Sequence, residues 1–250
     1  MQIDPKASER ESPYVGMGNN PIAYYDYLGD TIRDSDNIVG GYRTSINTQI
    51  AGLNELIGQK DFDFSKLGTT RDAAIQLRTE LNGVLGELDA LESSEQIYKV
   101  SFGSDLGKDE GGTYFDGSDN SIAVTVGKGT GIGVISHELL HAYQFESGEV
   151  SLAYDNSFVG SLYDLGDETA AYRREHLAVQ GVLGMKTRET INNDYTLTFG
   201  QQMTPPAYQT LPRDNLNMGS RQAVFMRMQN TFYKKEYGRP YEVFKGWNKK

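Results

Sequence analysis

The hydrophobic pattern of the chain falls into regions with different periods. Residues 1–41 are dense in Pro, Gly, Asn, Ser and Asp and show no helical period, so short strands and turns are expected there. Over residues 44–59 a period near 3.6 emerges, with Ile46, Ile50, Leu53, Leu56 and Ile57 on one stripe. A longer helix is expected over 70–91, capped by Thr69 or Thr70, with Ala74, Leu77, Leu81, Leu85, Leu88 and Leu91 on its apolar side. Alternation then replaces the helical period. Residues 96–102 read as a strand, and residues 113–115 and 121–126 read as a hairpin around the polar turn 116–120.

The second hairpin strand runs through a glycine-rich turn into residues 131–148, which read as a helix. That turn, Gly127-Lys-Gly-Thr-Gly-Ile-Gly133, has neither the P-loop spacing nor the dinucleotide fingerprint, so it reads as a tight connection before a buried helix. Residues 148–166 are expected to be mostly loop, 167–183 a helix, and the stretch up to 219 polar and irregular. A last helix fits 220–237, with Ser220 as cap and Val224, Phe225, Met228 and Phe232 as core stripe. Together these elements predict an α+β fold: a small antiparallel sheet packed on the 131–148 helix, with several further helices.

Composition narrows the chemistry. The chain has no cysteine, which excludes disulfides, thiolate metal sites and a cysteine nucleophile. A net charge of −10 argues against a nucleic-acid partner, and the basic run after Lys234 reads as a solvated helix end. No apolar run reaches membrane-spanning length, and no signal-peptide pattern opens the sequence.

Only three histidines are present, and two of them fall in His137-Glu138-Leu139-Leu140-His141. Residues four apart on a helix lie about 40° apart around the axis, so His137 and His141 share a face one turn apart. Glu138 lies about 100° further round, beside a metal held by the two imidazoles rather than on it. That is the arrangement of a zinc site whose Glu takes a proton from water. Ile135, Leu139 and Ala142 supply an apolar back to the same helix.

The third ligand is less direct. A metzincin would carry Gly and His three and six residues after the second histidine, where this chain has Gln144 and Ser147. Glu168 and Glu175 on the next helix, and His176, remain as candidates. The two carboxylates lie about 10 Å apart along the axis, so only one of them reaches the ion. Glu168, beside the loop that returns from the motif helix, is favoured. Asp167 reads either as a carboxylate orienting a ligand histidine or as a helix cap. Tyr172, Tyr195 and His176 are candidates for stabilising a tetrahedral oxyanion.

Two resemblances complete the picture. Asp4-Pro5-Lys6-Ala7, Ser12-Pro13-Tyr14, Asn19-Asn20-Pro21 and Gly29-Asp30 resemble the closing segment of the Rhs/YD-repeat core of Bacteroidetes, with Tyr27 where that pattern has proline. The resemblance implies that residues 1–39 are the remnant of a large secreted β-shell and a linker, and that 40–250 form its toxin tip. Ala142-Tyr143 after the motif, and Asp167-Glu168-x-x-Ala171-Tyr172 downstream, are similar to HExxH metallopeptidase toxins of the zincin type. The terminal residues 229–241 are similar to the last helix of such domains. This supports Glu168 over Glu175, and the leading expectation is one zinc ion held by His137, His141 and Glu168, Glu138 as general base, a protein or peptide substrate in a target cell, and a cognate immunity protein. An amidase acting on peptidoglycan, and a non-enzymatic zinc-stabilised interaction tip, are the competing expectations.

Overall fold

The computed structural model describes residues 31–94, 96–116, 121–147, 149–155, 158–162, 164–180, 190–203 and 205–211. The Rhs-like motifs before residue 31, the 116–120 turn for the most part, the 220–237 helix and the basic tail lie outside these residues.

The chain opens with strand β1 (Ile32–Asp34), helix α1 (Ile38–Gly58), a single 3-10 turn (Phe64–Leu67) and helix α2 (Arg71–Glu92). Strands β2 (Ile97–Gly103), β3 (Gly111–Asp116) and β4 (Ser121–Gly127) lead into helix α3 (Ile132–Ser147). Then come β5 (Ser151–Asp155), β6 (Phe158–Leu162), α4 (Leu165–Gln180) and α5 (Asn193–Gln201). The fold is α+β: among the described residues, five α-helices surround a four-stranded sheet.

The expected antiparallel sheet is corrected: the sheet is mixed, in the order β1-β2-β4-β3. β1 and β4 both run parallel to β2, and only β3 is antiparallel, to β4. A parallel neighbour needs a crossover, and α1 with α2 supplies it between β1 and β2. The hairpin is where the sequence places it, but β4 inserts between β2 and β3. Alternation shows that a strand exists and is silent on its direction.

Helix α1 begins six residues before residue 44, where the helical period becomes visible. Asp34 explains this, since its two carboxylate oxygens accept from the N–H groups of Ile38 and Val39 at 2.8 and 2.7 Å. Gly40 is tolerated in the first turn because a Cβ there would stand 2.2 Å from Asn37 Oδ1. Thr70 caps α2 as expected, accepting from Ala73 N. Val84 rather than Leu85 completes its buried stripe.

Residues 148–166, expected as loop, contain the two-stranded antiparallel sheet β5–β6. These strands are five residues each and carry glycine and serine, so their β signal is weak. Helix α4 starts at Leu165 rather than 167, and α5 lies in the stretch expected to be irregular, capped by Asn192.

The inner face of the sheet presents Tyr98, Val100, Ile122, Val124 and Val126 to the stripes of α1 and α2 and to Leu139, Ala142 and Phe145 of α3. The core therefore grips the back of α3 and leaves its histidine face toward α4. Among the described residues, no helix is long and apolar enough to cross a membrane.

Candidate metal centre

Helices α3 and α4 are the most intimately packed pair of elements. Gly133 makes their approach possible, because a Cβ there would lie 2.8 Å from Val179 and 2.9 Å from Glu175. The start of α4 is fixed by reciprocal caps. Asp164 Oδ1 accepts from the N–H groups of Gly166 and Asp167, and Asp167 Oδ2 accepts from the N–H of Asp164. Asp167 thus closes a capping box from the third helical position, and Asp164 takes the N-terminal cap position considered for it. The next residue, Glu168, is turned toward α3.

His137, His141 and Glu168 are buried, and their ligand-type atoms all lie within 4.8 Å of one another. Glu168 Oε2 is 3.3 Å from His137 Nε2 and 3.8 Å from His141 Nε2. The rear nitrogens are engaged separately. His141 Nδ1 meets Gln144 Oε1 at 2.7 Å, and Gln144 Nε2 donates to the carbonyl of Asp167. His137 Nδ1 faces Glu175 Oε2 at 3.6 Å. Each imidazole is held from behind with its Nε2 turned to the common point, which is how ligand histidines are oriented. Three such donors could hold a metal ion, and the residues present fit one. Glu175, the alternative third ligand, stands on the far nitrogen of His137 and outside this group.

Glu138 is buried one step round the helix. Its Oε2 accepts a 2.8 Å hydrogen bond from Thr113 Oγ1, which also donates to the Glu138 carbonyl at 3.0 Å. Gly111 makes room for the carboxylate, since a Cβ there would lie 2.7 Å from Glu138 Cγ. Burial pushes the Glu138 carboxyl up to about 7 against the opposing influence of His137 and Thr113. Burial opposes a charge on His137, yet Glu168, Glu175 and Glu138 outweigh it and raise its pKa to about 10. His141, buried and beside His137, is lowered to about 4.

A cleft of about 470 Å³ opens onto this group, lined on one side by Gly111, Gly112 and Thr113 of β3 and by Phe145, and on the other by Tyr208 and Leu211. Tyr172 packs edge-on against His137, with ring centroids 4.7 Å apart, and its hydroxyl meets that of Tyr208 at 2.9 Å. Tyr195 lies beyond Tyr172, stacked on Phe199, and His176 lies 6.2 Å from Tyr195. Neither lines the cleft.

Sequence reasoning missed Gln144, Thr113 and Tyr208 as site residues. Gln144 carried a usable signal, three residues after a ligand histidine on the same helix. Thr113 and Tyr208 reach the site only through the tertiary fold. No protein-family model, curated protein or solved structure matches the chain.

Proposed function

We propose that the chain is a zinc-dependent endopeptidase of the zincin kind, with Glu138 as general base, acting as a toxin on a protein of a target cell. Residues 40–250 would be the toxin tip of an Rhs-type polypeptide, secreted or delivered with it and held in check by a cognate immunity protein. One observation carries the catalytic reading: two imidazoles and a carboxylate converge on one buried point, with a second carboxylate beside them, at the floor of an open cleft.

Two imidazoles, one carboxylate and no sulfur suit zinc. The ligand-type group has three members among the described residues. Structural zinc sites are closed by four protein ligands, so a three-membered set facing a cleft favours catalysis over an interaction tip. When bound, the metal would polarise the scissile carbonyl and make water a better nucleophile.

The chain's own residues would do the rest. His137, His141 and Glu168 hold the ion, while Gln144 and Glu175 fix the imidazoles. Thr113 occupies Oε2 of Glu138, so Oε1 takes the proton from the attacking water. As the carbon–nitrogen bond breaks, the same carboxyl returns that proton to the leaving amine.

Glu138→Gln tests this reading. The variant should keep its zinc by elemental analysis and lose proteome cleavage by about 1000-fold or more. If it cuts and kills as well as wild type, peptide hydrolysis at this site is the wrong account. A parallel digest of peptidoglycan separates a protein substrate from a cell-wall amide.

A further inference from the structure

The wall of the cleft facing α3 contains Tyr208, which no pattern in the sequence marks. Tyr208 has a φ of 68°, a left-handed conformation that is costly for an aromatic residue. It is held there by the segment that folds back on α5. Ala207 N donates to Gly200 O at 2.9 Å, and Gln209 Nε2 donates to Leu197 O at 3.0 Å. Gly200 is required for this approach, because a Cβ would lie 2.4 Å from Ala207 O and 2.6 Å from the Tyr208 ring. Backbone strain enforced by surrounding contacts is a feature of functional sites.

The hydroxyl pair has a preferred polarity. Tyr172 is buried against His137, and among the described residues the Tyr208 oxygen is the acceptor available to its proton. With Tyr172 donating, the Tyr208 O–H is left for whatever occupies the cleft. A hydroxyl that accepts one hydrogen bond donates a stronger one. A phenol keeps its proton at neutral pH, and burial of Tyr208 acts in the same direction.

We propose that Tyr208 is a catalytic residue: its O–H donates a hydrogen bond to the oxyanion that develops on a substrate carbonyl in the cleft, and Tyr172 is its positioning residue. The proton stays on Tyr208 throughout. This inference rests on the peptidase reading above, and it moves the oxyanion role from Tyr172, Tyr195 or His176 to a residue outside the motif helices.

Tyr208→Phe and Tyr172→Phe delete the same hydroxyl–hydroxyl hydrogen bond, so their difference isolates what Tyr208 does for substrate. The zinc-loaded full chain is assayed on an unbiased internally quenched peptide library, beside Glu138→Gln. A phosphinic peptide built on the best-cut sequence, a mimic of the tetrahedral state, reports binding without turnover. Tyr208→Phe should lower kcat by about 100- to 1000-fold with KM within about twofold. Its phosphinate affinity should fall in parallel, with zinc content unchanged. Tyr172→Phe should cost only about threefold to tenfold. Equal losses in the two variants, or full activity of Tyr208→Phe while Glu138→Gln is dead, overturn the role of Tyr208. Cleavage by Glu138→Gln at the wild-type rate, or a wild type that cuts nothing in the library, overturns the peptidase reading itself.

Discussion

Adjacent residues of α4, Arg174 and Glu175, belong to two partly buried clusters built on opposite principles. Arg174 gives both terminal nitrogens to Glu87 of α2, one of them at 2.7 Å, while its carbonyl accepts from Ser136 and Ser136 Oγ meets the Tyr42 hydroxyl at 2.7 Å. Every charge in that cluster has its opposite. One residue further on, Glu175, Glu168 and Glu138 surround two histidines, of which His137 is pushed toward protonation and His141 away from it. Three acidic side chains then face one imidazolium. A buried cluster that balances its own charge ties helices together, whereas one short of positive charge is a seat for a cation.

That contrast can be broken in a definite order. The largest effect is expected from Glu168→Ala against Glu87→Ala. The first should weaken zinc binding by about 100- to 1000-fold, a one-ligand share of the ~10–16 kcal/mol that four-ligand zinc sites release. The second should leave zinc affinity unchanged and cost about 2–3 kcal/mol of folding stability, since Arg174 is left half-buried without its partner. Competitive chelator titration and denaturant unfolding read the two quantities. Exchange of these outcomes would mean that the clusters have been assigned the wrong way round.

A smaller effect separates holding a metal from orienting its ligands. Gln144→Ala and Glu175→Gln remove only the groups behind His141 and His137, and each should lower zinc affinity by about 10- to 100-fold. If Glu175→Gln proves as damaging as Glu168→Ala, Glu175 is itself a ligand and the geometry around His137 rearranges on binding.

The smallest effect is a pH dependence of the metal-free protein. His137 has a folded pKa of about 10, above its unfolded value of 6.5, so its stabilising contribution is complete below about pH 6.5 and is lost as pH rises through 10. Glu138, raised from 4.5 to about 7, pulls in the same direction over the lower window. His141, lowered to about 4, opposes them only between about 4 and 6.5. Above pH 7 the Tm of metal-free protein should fall while zinc affinity climbs, because the proton on His137 must leave before the ion can bind. Scanning calorimetry beside zinc titration at pH 7, 8 and 9 would show it; a flat Tm would contradict the proton on His137.

The same division explains what the sequence disclosed. The stripes of α1 and α2 were legible because burial along a helix imprints a 3.6 period. His137, Glu138 and His141 were legible because one helical turn sets their geometry, and Glu168 because it opens the helix that returns from them. Nothing comparable encodes strand direction, so the parallel pairing of β2 with β4 was hidden. The α5 segment Asn-Asp-Tyr-Thr-Leu-Thr-Phe-Gly-Gln is short and rich in aromatic and β-branched residues, which masks a helix. Thr113 and Tyr208 lie 25 and 70 residues from Glu138 and meet the site only after the sheet and the α5 return have formed.

The hydrogen bond from Thr113 to Glu138 also divides the site between two layers of the fold. The metal group is carried by the α3–α4 pair, whereas the proposed base is steadied by the outermost strand of the sheet. Gly111 and Thr113 of β3 touch Glu138 itself. Loosening the β3–β4 hairpin would therefore free the Glu138 carboxylate of its Thr113 hydrogen bond while the groups behind His137 and His141 stayed in place.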